Sequence, residues 1–202
     1  LYDTYYYYQR FGDPGYKYGV AQADMVGRMV MRLANADILP FDFTSASGVI
    51  AGYVDELVAM DEGGLLRDEL REIGAANAAM RVAATETNGV LARLLGGAAA
   101  SAEQNRSAVD QVNALIMRAE REMIDERGLW RRPWYRNLIY APGYYEGYAA
   151  KTLPGVREPM EDGAWEVART QAGMLVEALE RVTLALTEAG TVARAATTRV
   201  IS

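Results

Sequence analysis

Apolar residues recur at steps of three and four along much of the chain, a spacing that places them on one face of an α-helix. Residues that end helices follow several of these stretches, namely Pro40, the Gly63-Gly64 pair, the Gly96-Gly97 pair and Gly128. The pattern predicts helices at about 20–37, 45–62, 65–95, 105–125 and 164–189. Ser45 is the predicted N-cap of the second helix, because its hydroxyl can accept a hydrogen bond from a free backbone N–H.

The rest of the chain shows neither a convincing strand nor an internal repeat. We therefore predict an all-α fold, an antiparallel bundle of four to five helices with one long irregular loop, Leu129–Gly163. Irregular segments of this length are uncommon in compact domains and are often functional. The alanine-rich stretch before and including Ser101 predicts a flexible connection. The last residues show only weak apolar periodicity. We therefore predict a helical domain over residues 1–190 and a C-terminal tail over residues 191–202.

Aromatic residues concentrate in two segments, residues 1–19 and the predicted loop. The first contains Tyr2, Tyr5, Tyr6, Tyr7, Tyr8, Phe11, Tyr16 and Tyr18. The second contains Trp130, Trp134, Tyr135, Tyr140, Tyr144, Tyr145 and Tyr148. Tyrosine rings are typical of contacts between domains, where the ring is buried and the hydroxyl stays at the rim. A wall of rings that stacks against a ligand is the alternative.

Composition excludes several classes of chemistry. The chain has no His and no Cys, which removes histidine-dependent triads, cysteine nucleophiles and the usual zinc ligands. Most acidic residues lie beside arginines at helical spacing, which is typical of solvated helix faces. A formal net charge of −6 argues against nucleic-acid binding, and no apolar run reaches the roughly 20 residues of a membrane-spanning helix. We predict no catalytic residues, metal or cofactor in this chain.

Two sets of sequence blocks resemble the C-terminal region of the glutamate carboxypeptidase II and transferrin receptor family. The first set is Tyr2-Asp3-Thr4-Tyr5, Phe11-Gly12-Asp13-Pro14, Tyr16-Lys17-Tyr18 and Leu39-Pro40-Phe41-Asp42. The second is Arg132-Pro133-Trp134-Tyr135-Arg136, Ile139-Tyr140-Ala141-Pro142 and Leu153-Pro154-Gly155-Val156. The blocks keep the family's order and cover nearly the whole chain.

The resemblance implies a transferrin receptor-like dimerisation domain, which in that family is the C-terminal helical domain of a three-domain chain. Two such domains from different subunits pack together as a homodimer. The resemblance also places the last zinc-ligand histidine just before Leu1, so zinc is expected in a peptidase domain outside this chain. Residues 1–19 would face that domain, and the residues expected at domain interfaces are Tyr2, Tyr5, Tyr6, Phe11 and Tyr140.

The same resemblance implies one substrate-binding residue. In the family's carboxypeptidases a Lys-Tyr pair on the long loop holds the terminal carboxylate of the substrate. The Tyr corresponds to Tyr148, whereas the Lys corresponds to Gly147. This departure removes a charge-assisted hydrogen bond and puts a preference for C-terminal glutamate in doubt. Lys151 could replace the missing cation only if the loop shifts, and the alternative role for Tyr148 is a buried loop tyrosine.

The function predicted is a non-catalytic homodimerisation module of a zinc-dependent carboxypeptidase or aminopeptidase. Its physical basis is a surplus of apolar surface, since the first, third, fourth and fifth predicted helices each carry a full apolar stripe. We expect the fourth and fifth helices and part of the first to meet across the dimer axis. A stand-alone structural bundle unrelated to peptidases is the alternative, and an enzyme that uses Tyr and carboxylates is a third hypothesis. The cellular compartment stays open.

Overall fold

The computed structural model describes residues 4–96, 106–145 and 147–199 and is mostly helical, so the predicted all-α class is confirmed. The chain divides into two units, Leu1–Pro40 and Phe41–Ser202. The predicted flexible connection around Ser101 lies outside the described residues.

Residues 4–40, the described part of the first unit, contain three helical elements. These are α1 (Tyr5–Tyr7), a π-helical segment (Tyr8–Gly12) and α2 (Lys17–Ala34). The Asp13 carboxylate accepts hydrogen bonds from the backbone N–H groups of Tyr18 and Gly19, at 3.1 and 2.7 Å. These bonds satisfy free donors in the first turn of α2, which explains why the helix begins before Val20.

Helix α2 has a pronounced apolar stripe but no buried residue. The side chains of this stripe are between 47% and 58% exposed: Met25, Val26, Met29, Val30 and Leu33. Exposed apolar surface of this extent on one helix is typical of a contact with another protein surface.

The second unit is a bundle built from α3 (Phe43–Met60), α4 (Arg67–Gly96), α5 (Arg106–Arg121) and α7 (Trp165–Arg199). Helix α7 packs against α4 and α5, and α3 packs against α4. Helices α3 and α4 run in opposite directions and exchange two buried hydrogen bonds, from the Ser47 hydroxyl to the Asn77 carbonyl and from the Asn77 amide to the Ser47 carbonyl, at 3.2 and 2.9 Å. Helices α4 and α7 run in the same direction.

The seam between α4 and α7 is closely packed because small residues line it. A Cβ atom added to Gly190 would lie 2.8 Å from Thr87 Oγ1, closer than real Cβ atoms come. Thr87 donates a 2.8 Å hydrogen bond to the Leu186 carbonyl across this seam. The alanines of α7 that are buried here or against its other neighbours are Ala168, Ala172, Ala178, Ala185, Ala189, Ala193 and Ala196.

The structure corrects the predicted ends of several elements. Helix α3 begins at Phe43 instead of Ser45, because the Asp42 carboxylate accepts hydrogen bonds from the N–H groups of Thr44 and Ser45 at 3.0 and 3.1 Å. Helix α7 continues to Arg199 in place of the predicted tail, since its buried alanines keep the helical spacing beyond Ala189.

The predicted irregular loop is also partly regular, which the sequence prediction missed. It contains an antiparallel hairpin of β1 (Tyr140–Pro142) and β2 (Ala150–Thr152), with Ala141 paired to Lys151. The short helix α6 (Pro154–Glu161) follows and packs against α7. Three-residue strands are too short to show alternation, and Pro154 at the first turn of α6 is a favoured position for proline.

The prediction that the helices carry more apolar surface than the bundle can bury is wrong for most of its helices. The stripes of α4, α5 and α7 are buried inside the second unit, as Ile73, Val112 and Leu179 show with 0% exposure each. Among the described residues, exposed apolar side chains cluster in the first unit, on the outer side of α3 and in the hairpin region, while single ones such as Val82 and Leu184 lie on α4 and α7. On α3, Val49 and Val58 are 51% and 55% exposed, whereas Ile50 and Val54 are buried.

Replacing Leu179 with Ala should lower the free energy of unfolding by about 2–5 kcal/mol, because the change leaves a cavity at the centre of α7. Leu184→Ala, on the same helix at 52% exposure, should change it by less than about 1 kcal/mol. Urea unfolding followed by circular dichroism would measure both. Equal losses in the two variants would contradict the described burial of α7.

Candidate functional site

The hairpin between α5 and α6 is fixed at its base by hydrogen bonds to the Asn137 side chain and between backbone groups. The Asn137 side-chain oxygen accepts the N–H groups of Ile139 and Tyr140, at 2.9 and 3.1 Å, which turns the chain into β1. The N–H of Gly143 donates to the Ala149 carbonyl at 3.0 Å and closes the hairpin loop. We define the hairpin loop as residues 143–149, of which residue 146 lies outside the described residues.

A buried ion pair lies beneath this loop. Arg132 Nη2 is 2.6 Å from both carboxylate oxygens of Glu158, and the two side chains are 7% and 10% exposed. The other terminal nitrogen of Arg132 donates to the Pro142 carbonyl, and Glu158 Oε1 accepts the Tyr144 N–H at 2.8 Å. The pair therefore binds backbone groups on both sides of Gly143.

The neighbouring Arg131 supports the same loop from outside. Its guanidinium lies 3.8 Å from the centre of the Trp130 ring and donates to the Tyr145 hydroxyl and the Asp162 carboxylate, at 2.9 and 2.7 Å. Arg131 has a φ of 62°, in the left-handed region that non-glycine residues rarely adopt. Local strain of this kind persists only where surrounding contacts hold it, as the ring and the carboxylate do here.

A second ionic cluster fastens the start of the segment to α7. Arg127 donates to both oxygens of Asp125, at 2.8 and 2.7 Å, and also contacts Glu177 of α7 at 2.5 Å. Arg181 of α7 lies 3.5 Å from Asp125 Oδ2. The hydrogen bonds from Arg127 and the nearby positive charges lower the pKa of Asp125 to about 2, against the opposing effect of burial.

An apolar groove of about 260 Å³ opens beside α3. Stacked Phe41 and Phe43, with ring centres 6.0 Å apart, form part of its wall. Phe41, Val49 and Tyr140 line it and are 43%, 51% and 55% exposed. We call these three residues, with Ile50 and Tyr53, the α3 groove.

Comparison with known proteins identifies the family. Residues 68–187 match the transferrin receptor-like dimerisation domain, which is more than half of the chain. The chain belongs to this family. It is 27% identical over 195 residues to a probable glutamate carboxypeptidase, LAMP1, of Arabidopsis thaliana, covering 92% of this chain and 27% of that protein. The predicted resemblance is therefore confirmed.

Two further relatives are also named as probable glutamate carboxypeptidases. A probable glutamate carboxypeptidase of Arthroderma benhamiae is 31% identical over 186 residues, covering 92% of this chain and 24% of that protein. The probable glutamate carboxypeptidase VP8 of Zea mays is 26% identical over 168 residues, covering 80% and 22%. The chain thus spans about a quarter of the length of the curated relatives it matches.

The tyrosine expected to bind substrate lies at the tip of the hairpin loop of this dimerisation domain. Tyr148 is fully exposed, so the alternative of a buried loop tyrosine is wrong for this chain. Gly147 has a φ of 61°, a conformation that a lysine would adopt only with strain. Lys151 contacts Glu161 at 3.0 and 3.2 Å, which holds its ammonium beside α6. A role for Tyr148 in substrate binding stays a prediction.

The candidate interface residues are exposed wherever they are described. Tyr5, Tyr6 and Phe11 of the first unit are 71%, 64% and 61% exposed. The Tyr5 hydroxyl accepts a 2.8 Å hydrogen bond from Tyr16. Tyr140, the candidate in the second unit, lines the α3 groove, and Tyr2 lies outside the described residues.

Metal binding finds no support in the residues of this dimerisation domain. His and Cys are absent from the sequence, and within residues 4–96, 106–145 and 147–199 no three acidic side chains are placed to share an ion. These residues do not fit the zinc site that the family resemblance implies, which the resemblance places outside the chain. In the described part of the chain, no helix combines the length and apolar character needed to cross a membrane.

Several of these features could not be found by sequence reasoning. The Arg132–Glu158 pair joins residues 26 positions apart, and neither residue stands out among the many arginines and glutamates of the chain. The one available signal was that Arg132 belongs to the block Arg132-Pro133-Trp134-Tyr135-Arg136, which the sequence shares with the family.

Replacing Asp125 with Asn should lower the free energy of unfolding at pH 7 by about 2 kcal/mol, because the folded state holds the carboxylate ionised. The folded pKa of Asp125 is about 2, below its ordinary value of 3.8, so its contribution is complete above about pH 4. That contribution is lost as the pH falls towards 2, and the two proteins should then converge in stability. Urea unfolding at pH 7, 4, 3 and 2 measures this, with Asp110→Asn, an exposed carboxylate of α5, as the control. A constant difference at every pH would contradict the assignment.

Proposed function

We propose that this chain is a non-catalytic homodimerisation module of a larger glutamate carboxypeptidase-like zinc peptidase. The observation that carries the proposal is the α3 groove, an apolar and partly exposed surface on a bundle whose other stripes are buried. Membership of a dimerisation-domain family supports a second copy of the same protein as the occupant.

The chemistry of the groove fits a self-complementary contact. Permanent homodimer interfaces bury on the order of 2,000 Å² or more and place aromatic and aliphatic side chains at their centre. Phe41, Val49 and Tyr140 supply such side chains on one face of the unit. In a two-fold dimer each subunit offers the same patch, so the groove of one would receive the apolar rim of the other.

The absence of His and Cys supports the non-catalytic part of the proposal, because the remaining side chains supply neither a histidine base nor a sulfur or imidazole metal ligand. The relatives are described as probable glutamate carboxypeptidases, and the chain matches about a quarter of each. We propose that zinc and the catalytic groups of this protein belong to residues outside the chain.

The exposed stripe of α2 and the aromatic segment before it have a separate role in this proposal. Both lie in the first unit, and both expose apolar side chains that water solvates poorly. We assign them to the contact with the peptidase domain, with Tyr5, Tyr6 and Phe11 at that interface.

The hairpin loop would serve the active site of the complete protein. Tyr148 stands fully exposed on a loop whose base is firmly held, which suits a residue that reaches into a neighbouring pocket. Its hydroxyl can donate a hydrogen bond to a substrate carboxylate. Because Gly147 supplies no cation, Tyr148 alone would hold the substrate carboxylate more weakly than a Lys-Tyr pair does.

Val49→Glu should weaken dimerisation of the full-length protein by at least about tenfold in Kd, since it would bury an unpaired carboxylate in the interface. Val82→Glu, on α4 and 59% exposed, should leave the Kd unchanged. Sedimentation equilibrium over a range of concentrations would measure both. A wild-type protein that is strictly monomeric would contradict the proposed dimerisation. Weaker dimerisation in Val82→Glu but not in Val49→Glu would contradict the assignment of the α3 groove as the interface.

Tyr148→Phe should raise the KM of the full-length peptidase by about tenfold with little change in kcat, because a hydrogen bond to a charged group is worth about 1.5–3 kcal/mol. The assay would use N-acetylated dipeptides that differ in their C-terminal residue. Tyr144→Phe makes the same change on a neighbouring tyrosine of the hairpin loop and should leave KM unchanged. An unaltered KM in Tyr148→Phe for every cleaved peptide would remove Tyr148 from the site.

A further inference from the structure

We propose that Arg132 and Glu158 are positioning residues, which hold the hairpin loop in one conformation and thereby place Tyr148 at the substrate. The proposal rests on the function suggested above for the loop. The loop contacts described for these two side chains are with its backbone, at the Pro142 carbonyl and the Tyr144 N–H, and we infer that both residues act through that backbone.

The Arg132–Glu158 pair is buried. The Arg132 and Glu158 side chains are 7% and 10% exposed, and burying two charges is costly unless they satisfy one another closely. Arg132 Nη2 meets both carboxylate oxygens at 2.6 Å. A buried ion pair is weak evidence for added stability, but it fixes geometry wherever each partner also binds the backbone.

The ion pair binds two backbone groups at the start of the hairpin loop. Arg132 donates to the carbonyl of Pro142, the last residue of β1, and Glu158 accepts the N–H of Tyr144 at 2.8 Å. These two backbone groups flank Gly143, which is buried. One ion pair thus restrains the carbonyl before Gly143 and the amide after it, where the chain leaves the strand and enters the loop.

The two halves of the hairpin loop are held in different ways. Its first half is held by the ion pair and by Arg131, which donates to the Tyr145 hydroxyl at 2.9 Å. Its second half returns through Gly147 and Tyr148, and the hydrogen bonds described there join backbone groups of the loop itself: Gly147 N–H to the Gly143 carbonyl at 3.4 Å and Gly143 N–H to the Ala149 carbonyl at 3.0 Å. Gly147 has a φ of 61°, and among the described residues no atom beyond its chain neighbours lies within 4 Å of its Cβ position.

The direction of Tyr148 therefore depends on the anchored half of the loop. Tyr148 is fully exposed in this chain, so its position cannot come from side-chain packing here. An exposed tyrosine on an unanchored loop would lose conformational freedom on binding substrate, and that loss would weaken binding. The ion pair lowers this cost in advance by fixing the start of the loop at Pro142 and Tyr144.

Glu158→Gln in the full-length protein tests the proposal, because it keeps the shape of the side chain and removes its charge. Glu161→Gln is the matched control, about one turn further along α6, since Glu161 contacts Lys151 of β2 instead of the loop. Hydrogen–deuterium exchange of peptides that contain Tyr144, Tyr145, Gly147 and Tyr148 reports on the loop directly. We expect exchange there to become at least about tenfold faster in Glu158→Gln and to stay unchanged in Glu161→Gln.

Kinetics on the N-acetylated dipeptides give a second readout that a merely structural role would not produce. Glu158→Gln should raise KM by about tenfold with kcat within about threefold, and Tyr148→Phe combined with Glu158→Gln should raise KM little beyond Tyr148→Phe alone. A large additional loss in the double variant would show that the pair acts independently of Tyr148 and would overturn the proposal.

A third variant guards against misfolding, since an unpaired Arg132 is costly when buried. Arg132→Met combined with Glu158→Met replaces both charges by apolar side chains and should fold, as judged by an unchanged circular dichroism spectrum. It should show the same faster exchange and raised KM. Unchanged loop exchange in this variant would overturn the proposal.

The outcomes also separate this proposal from the function of the loop. If Tyr148→Phe raises KM and the charge-free pair does not, only the positioning role is wrong. If Tyr148→Phe has no effect on KM, the substrate-binding role of the loop is wrong and the positioning of Tyr148 for substrate falls with it.

Discussion

The close approach of α7 to its neighbours is the constraint on which the rest of the second unit depends. Alanines and Gly190 let α7 lie against α4, where larger side chains would meet Thr87. On its other sides α7 packs against α5 and α6. Gly155 of α6 approaches Gln171 of α7 so closely that an added Cβ would fall 2.3 Å from the Gln171 amide oxygen. The hairpin loop is therefore supported through α6, which carries Glu158, by the central helix of the bundle.

The helices were predictable because their core positions are strongly periodic. Leu70, Ile73 and Met80 appear in the sequence at the spacing at which α4 buries them. Features that depend on contacts between distant residues were not predictable. Asp42 was passed over in favour of Ser45 as the cap of α3, because both residue types suit that position and only geometry distinguishes them.

The candidate site also has features that the sequence predicts and features that it does not. The blocks that carry the family resemblance point to the loop and to Tyr148 from the sequence alone. The exposed stripe of α2 was also visible in the sequence, but a stripe does not reveal which helices cover one another. For this reason α4, α5 and α7 were credited with surplus apolar surface that they bury among themselves, while the groove formed by Phe41, Val49 and Tyr140 was missed.

The second unit combines a buried helical scaffold with the exposed α3 groove, which we propose a second copy covers. The most direct test is a distance measurement between two subunits, made possible because the chain contains no cysteine. A spin label would be attached at Val49→Cys or at Val82→Cys in a background free of other cysteines, and dipolar coupling would be measured in the full-length protein. The account predicts a shorter distance for the label at 49 than for the label at 82. The absence of coupling at any protein concentration, or a shorter distance at 82, would contradict it.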